Sequence, residues 1–187
     1  VGASFFFYMS WNWKFGFLLA ACIVYNWIFG HLIAAATDRR WRKFWVALAV
    51  ALNLLTLGFF KYYGFFIESL DQLLRGLGMA RELPFLDIVL PVGISFFIFQ
   101  GISYVVDVYR GELKQAHSLL DVAVFKSFFP QLVAGPIVRA ADFMPQLQKP
   151  VDPNRLYAGL AFLLILWGLF KKAIVANYLS TGIVDKA

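Results

Sequence analysis

The sequence is poor in the groups that catalysis and cross-linking most often draw on. It holds one cysteine, Cys22, and two histidines, His31 and His117, in 187 residues. A single cysteine excludes an intramolecular disulfide framework and a multi-cysteine metal site. Set in an uncharged run, Cys22 reads as a small packing residue. Two isolated histidines make no metal site, and neither stands at a recognisable spacing from a Ser or Cys nucleophile. No Walker-type phosphate loop, Rossmann glycine pattern or HExxH occurs. Internal repeats and low-complexity segments are also lacking. No basic segment leads into a short apolar stretch with a small-residue cleavage site, so no cleavable signal peptide is visible within these residues. Charge is scarce as well: 15% of residues are Asp, Glu, Lys or Arg, against about 25% in soluble domains.

Apolar residues fill the space that charge leaves. They make up 61% of the chain, with 21 Phe, 8 Tyr and 6 Trp. A soluble chain of this length has no core large enough to hide them, so the expected solvent is lipid. The formal net charge of +6 does not imply nucleic acid, because the basic residues sit in the gaps between apolar runs, as in membrane proteins. The chain opens inside an apolar run, Val1 to Met9, and stops at Ala187 just after another. It is therefore expected to be one membrane domain, 1–187, incomplete at both ends.

About 20 apolar residues span the hydrocarbon as a helix. Val1 to Trp13 reads as the end of such a helix, with Trp11 and Trp13 at the interface, and Phe15 to Ala36 as a full crossing. The loop Thr37 to Phe44 packs Arg39, Arg40, Arg42 and Lys43 against the lone Asp38, which places it on the cytoplasmic side. Trp45 to Ile67 crosses back, with Lys61 reaching toward the headgroups. Residues 68–87 turn polar and are expected outside, as an interfacial helix and a loop. Ile88 to Val106 returns the chain. Ser118-x-x-Asp121 resembles a capping box and starts a helix that meets Pro130 after two to three turns. Gly135-Pro136 breaks the chain again, and 140–153 is expected to be a polar loop. Asp152-Pro153 starts a helix running through Leu156 to Phe170, with Lys171-Lys172 at an interface and a shorter apolar piece to Val184. The fold class is all-α: a polytopic transmembrane helical bundle with broken or re-entrant helices. Long uncharged runs, rather than alternating ten-residue strands, exclude a barrel.

Two stretches carry more than packing. In Leu90 to Gly111, helical spacing puts Gly93, Phe96, Gln100, Ser103 and Asp107 on one stripe, with Arg110 one turn beyond Asp107. A polar stripe in an oily helix faces other helices or a wet cavity. These groups either satisfy one another, with Asp107 and Arg110 as an ion pair, or line a cavity. In Phe128 to Arg139, Pro130, Gly135 and Pro136 leave backbone groups unpaired. At membrane depth that is tolerated only under protein or water. The segment either lines a pathway or is a re-entrant packing hairpin.

These stretches also carry a resemblance. LPVGISFFIFQGISYVVDVYRG, Leu90 to Gly111, resembles the signature helix of membrane-bound O-acyltransferases. FFPQLVAGPIVRAADFMPQL, Phe128 to Leu147, resembles the segment that follows it. Leu57 to Tyr63 is similar to the family's GFFKYY-like run, and Gly168 to Lys172 to its G-x-x-K-K pattern. Order and spacing of all four agree over nearly the whole chain, with the greatest likeness to the bacterial branch that acetylates alginate. The resemblance implies a ring of helices around a tunnel, in the bacterial inner (cytoplasmic) membrane. It implies an acetyl group passed from a cytoplasmic donor, naturally acetyl-CoA, toward a hydroxyl of an exported polysaccharide such as alginate. Periplasmic acetyltransferase partner proteins would complete the transfer. No bound cofactor, metal or nucleic acid is implied, and membrane lipid is the immediate surroundings. The family's essential histidine follows a W-R-R-W-H-like segment that does not occur here, and His31 and His117 match no family catalytic position. The piece is thus expected to be inactive alone and to supply tunnel wall, from Gln100, Ser103, Asp107, Arg110, Gln131, Gly135, Pro136 and Arg139. A transporter or flippase, or a docking scaffold without catalysis, would be the alternatives.

Overall fold

Short polar side chains decide where the first helices of this chain begin. The structure, a computed structural model, describes residues 1–77, 89–113, 117–132, 136–147, 157–180 and 182. Among them every regular element is a helix. The chain divides into two compact units, residues 1–148 and 149–187.

The first unit opens with α1 (Gly2–Met9). Tyr8 anchors it: the hydroxyl donates to the carbonyl of Val92 at 2.9 Å and the ring meets Phe97 edge-on. Asn12 then accepts from the backbone N–H of Lys14 at 3.1 Å and starts α2 (Trp13–Ala35). Trp13 therefore opens the second helix instead of closing the first, because Asn12 supplies the acceptor that the leading N–H groups need. Asp38 repeats the device, accepting from Arg40 N–H at 2.9 Å at the start of α3 (Arg39–Gly76). The expected basic loop 37–44 is thus mostly helix; Arg and Lys are good helix formers, and their charge says where the membrane ends, not the helix. α3 also runs unbroken past Glu68 to Gly76, so the start of the expected 68–87 segment is its last turns. Residues 78–87 lie outside the described residues.

α4 (Ile94–Arg110) is the buried centre of the unit. Glycines bracket it: Gly93 and Gly111 both adopt left-handed backbone, with φ of 75° and 77°, which favours glycine. At the far end Gly111 N–H bonds the carbonyl of Val108 and Glu112 N–H that of Asp107, a Schellman closure. Arg42 reaches over from α3 to donate to the Tyr109 carbonyl at 2.8 Å. That contact puts the basic start of α3 beside the end of α4. Ile94, Phe97, Ile98, Tyr104, Val105 and Val108 of α4 join the core with Leu19, Cys22, Ile23 and Ile33 of α2 and Ala49 and Leu57 of α3.

Two glycines let these helices close in. A Cβ at Gly30 would fall 2.5–2.9 Å from the Tyr104 ring and hydroxyl. One at Gly101 would meet Asn26 Nδ2, Asn53 Oδ1 and Lys126 Nζ at 2.7–2.8 Å. Small residues at such crossings are the usual means of close packing in lipid, where association depends on contact and not on expulsion of water.

α5 (Leu119–Ser127) begins at the anticipated capping box: Ser118 Oγ accepts from Asp121 N–H and Asp121 Oδ2 from Ser118 N–H. It ends before Pro130, which sits in the one-turn α6 (Phe129–Leu132). Residues 140–147, expected as polar loop, form α7 (Ala140–Leu147); the rest of 140–153, from residue 148 on, lies outside the described residues. Ala140 and Met144, four apart, are buried on one face, and Pro145 is tolerated near the end of so short a helix.

In the second unit α8 (Ala158–Phe170) is apolar and exposed throughout. It does not stop at Lys171-Lys172: a π-helical turn, Lys171–Ala176, carries it into α9 (Asn177–Leu179). The helix start expected at Asp152-Pro153 lies outside the described residues.

Among the described residues three helices are long and apolar enough to cross a membrane: Trp13–Ala35, Arg39–Gly76 and Ala158–Leu179. Their outward faces carry Leu55, Phe65, Phe66 and Leu163, each more than 60% exposed, a display suited to lipid. This is a membrane protein. In the detergent-solubilised full-length protein, Gly101→Ala should cost about 1–3 kcal/mol by overpacking. Gly58→Ala, with open space around it, should range from neutral to about 1 kcal/mol stabilising. Thermal unfolding of the two variants side by side checks the contrast.

Candidate functional site

The N-terminus of α7 has a capping problem that its own sequence does not solve. The residue before it is Arg139, whose side chain has no acceptor. The polar stripe of α4 provides the acceptors instead. Ser103 Oγ accepts from Ala140 N–H at 3.1 Å, and Asp107 Oδ2 accepts from Ala141 N–H at 3.1 Å. A carboxylate at this end also meets the positive pole of the helix. Asp107 Oδ1 receives Arg139 Nη2 at 2.7 Å, and Ser103 Oγ donates to Asp107 Oδ2 at 3.4 Å. Arg139 Nη2 lies 2.5 Å from Glu112 Oε2 just beyond the end of α4. Asp107 is 1% exposed, and both of its oxygens are engaged. Such a charge is tolerable only when paired and hydrogen-bonded in this way.

This arrangement joins the two stretches singled out in the sequence, but with different partners than spacing suggests. Asp107 does not pair with Arg110 one turn on. Arg110 is exposed, with its guanidinium 3.9 Å from Glu112 Oε1. It sits in the last turn of α4, where its charge faces out, while residue 139 is brought in by the turn before α7. Gln100 is buried and points Nε2 toward Gln131 Oε1 at 3.5 Å, and its own Oε1 has no partner among the described residues. Pro136 is exposed. Gly135 lies outside the described residues.

A second polar cluster escapes the motif reading. Asn26 of α2 and Asn53 of α3 exchange amide hydrogen bonds at 3.0 and 3.2 Å. Each also donates to the carbonyl four residues back, of Cys22 and Ala49, and Tyr25 OH donates to Asn53 Oδ1. Lys126 of α5, fully buried, donates to the Cys22 carbonyl at 3.1 Å with its ammonium 5.7 Å from the centre of the Tyr25 ring. The available signal was a single Asn near the middle of each of two uncharged runs, and a lysine flanked by Val124-Phe125 and Phe128-Phe129. Such residues seldom face lipid.

The histidines serve structure. His31 Nδ1 lies 3.0 Å from the Trp27 carbonyl, and its ring packs on Trp27. His117 lies 3.9 Å from Asp121, a carboxylate occupied by the capping box, and Ser118 is the cap and not a nucleophile. Among the described residues no group of three or more His, Cys, Asp and Glu side chains is placed to hold a metal ion. Among the described residues the side chains of Ser103, Asp107 and Arg139 fasten helices to one another.

Relatives supply what geometry does not. The chain matches no family profile and no solved structure. Among curated proteins it is 38% identical over 181 residues to the protein of Pseudomonas aeruginosa named probable alginate O-acetylase AlgI, covering 95% of this chain and 34% of that protein. The namesake from Azotobacter vinelandii is 36% identical, covering 95% of this chain and 36% of its own. The peptidoglycan O-acetyltransferase of Helicobacter pylori is 32% identical over 201 residues, with 94% and 37% covered. The chain belongs to the membrane-bound O-acyltransferase family. It spans about a third of the length of the curated relatives it matches. Within the chain the two stretches that carry the family likeness meet at Asp107.

Asp107→Ala should destabilise the full-length protein by about 1–3 kcal/mol, since it strips the acceptor from a helix N–H and from Ser103. Arg110→Ala should leave thermal unfolding unchanged. In double-mutant cycles Asp107 should couple to Arg139 and not to Arg110; the reverse would disprove the pairing.

Proposed function

We propose that this chain is part of a membrane O-acetyltransferase of the bacterial inner membrane. In this reading the enzyme takes acetyl, with acetyl-CoA as donor, on the cytoplasmic side and passes it toward a hydroxyl of an exported polysaccharide such as alginate. Periplasmic acetyltransferase partners finish the transfer. The names of the relatives support the reaction class. The observation that carries the chain's own role is the Ser103–Asp107–Arg139 fastening. It holds a proline-interrupted segment against the most buried helix, which is how non-helical backbone is kept at membrane depth beside a pathway.

Acyl transfer to a hydroxyl needs a base within reach of the proton it removes. His31 lies against Trp27 and His117 beside the capping-box Asp121, and neither stands at the polar stripe of α4. We therefore assign this piece the wall, shaped by Gln100, Ser103, Asp107, Arg110, Gln131, Gly135, Pro136 and Arg139, and place the base on a histidine outside these 187 residues. The piece alone is inactive in this proposal.

The test uses the full-length protein in cells that make the polysaccharide. Asp107→Ala should lower acetyl content at least several-fold at normal membrane abundance, and replacing the histidine beyond Ala187 by Ala should abolish it. Unchanged acetylation in the Asp107 variant removes the fastening from the working parts. Substrate movement without acetyl transfer would establish a transporter instead.

A further inference from the structure

Helix α3 outruns the membrane that it crosses. Its cations Arg39, Arg40, Arg42 and Lys43 mark one headgroup level, and about 20 further residues of helix cross the hydrocarbon. The opposite boundary therefore falls near the middle of the helix, about at residue 63, and Leu70, Leu73 and Leu77 stand roughly 10 to 20 Å past it. Leu73 is 60% and Leu77 62% exposed. Acyl chains do not reach that height, so these side chains meet water unless protein covers them.

These leucines continue a stripe. Phe59, Tyr62, Phe66, Leu70, Leu73 and Leu77 are all exposed. They follow one another by steps of three and four residues that average the helical period, so the stripe keeps to one side of α3. Phe59 and Phe66 also line a single apolar groove, of about 670 Å³, on this helix. The buried residues of α3, Ala49, Asn53 and Leu57, are turned away from the stripe. Helical spacing puts Lys61, Glu68, Asp71 and Arg75 about 130° or more from its centre. Asp71 and Arg75 pair with each other at 2.9 Å, and Lys61 lies 5.5 Å from the centre of the Tyr62 ring at the stripe's edge.

We propose that α3 pairs along this stripe with α3 of a second copy, making the protein a parallel homodimer in its membrane. Two copies in one membrane hold α3 at the same depth and in the same direction, so each stripe residue meets its equivalent across a two-fold axis. A second copy also brings no charge to the seam. At about 200 Å² for a large apolar side chain, the six exposed faces offer on the order of 600 Å² per copy. A pair then buries about 1,200 Å², the lower bound of a stable interface. Past the headgroups this burial removes apolar surface from water, a driving force that helix pairing inside lipid lacks. The pairing is independent of the acetyltransfer reading and survives its failure.

The experiment introduces single cysteines into the full-length protein and oxidises them in the membrane. Leu73→Cys, on the stripe, should form a disulfide-linked dimer on the order of 10-fold more efficiently than Gln72→Cys on the charged side. Native mass spectrometry of the wild type, extracted with its lipids in polymer discs, should return the mass of two copies. Leu73→Glu sets two carboxylates against each other and should weaken association on the order of 100-fold. The cysteine comparison decides even where the glutamate variant fails to fold. Equal crosslinking at the two positions, a wild type of single-copy mass, or a folded Leu73→Glu variant that stays paired would overturn the proposal. So would a Leu73→Cys disulfide formed within one copy, which would mean that the rest of the full-length protein covers the stripe.

Discussion

A buried carboxylate that must be fully satisfied governs the first unit. Asp107 gives both oxygens to groups from beyond α4, Arg139 and the backbone of Ala141. Desolvating a lone carboxylate is expensive, and deleting one partner of a buried pair leaves that expense uncompensated. Helix α7 has no cap of its own, because the Arg139 side chain offers no acceptor to its leading N–H groups. Its position is therefore tied to the polar groups of α4, and α4 in turn is held by its glycine-bracketed ends and the Arg42 contact.

Helix α4 is also polar on two sides. Gly101 and Ser103, two residues apart, point about 200° apart around a helix of 3.6 residues per turn. On the Gly101 side lie the Asn26–Asn53 pair and Lys126; on the Ser103 side lie Asp107 and the start of α7. The first cluster ties together α2, α3 and α5, the second ties down α7. One helix thus serves as the shared partner of every major element in the unit, which accounts for the burial of nine of its 17 residues.

How much of this was legible follows from what kind of signal each feature leaves. Long uncharged runs marked three helices long and apolar enough to cross a membrane among the described residues, while the expected crossing at Ile88 to Val106 is instead the shorter α4. Ser118-x-x-Asp121 revealed the start of α5, because a capping box is a local signal. Helix ends at Trp13 and Arg39 were misplaced since the charge and aromatic belts mark the membrane boundary and not the helix boundary. Residues 140–147 looked like loop because their N-terminal caps, Ser103 and Asp107, are more than thirty positions away in sequence. For the same reason Asp107 was offered Arg110, its neighbour along the helix, when the turn before α7 supplies Arg139. Asn26, Asn53 and Lys126 belong to no motif, and only three-dimensional packing around Gly101 brings them together.

The length of α3 has a consequence for how the molecule rides in its membrane. Thirty-eight residues make a rod of about 57 Å, nearly twice the hydrocarbon thickness of about 30 Å. Its cations at Arg39 to Lys43 and its charges at Glu68, Asp71 and Arg75 stand on either side of a largely apolar middle. Sliding the rod in either direction would drag one charged end into oil. The helix is thus a keel with two stops, fixing the vertical draught of every element packed on it, α4 and its buried carboxylate included.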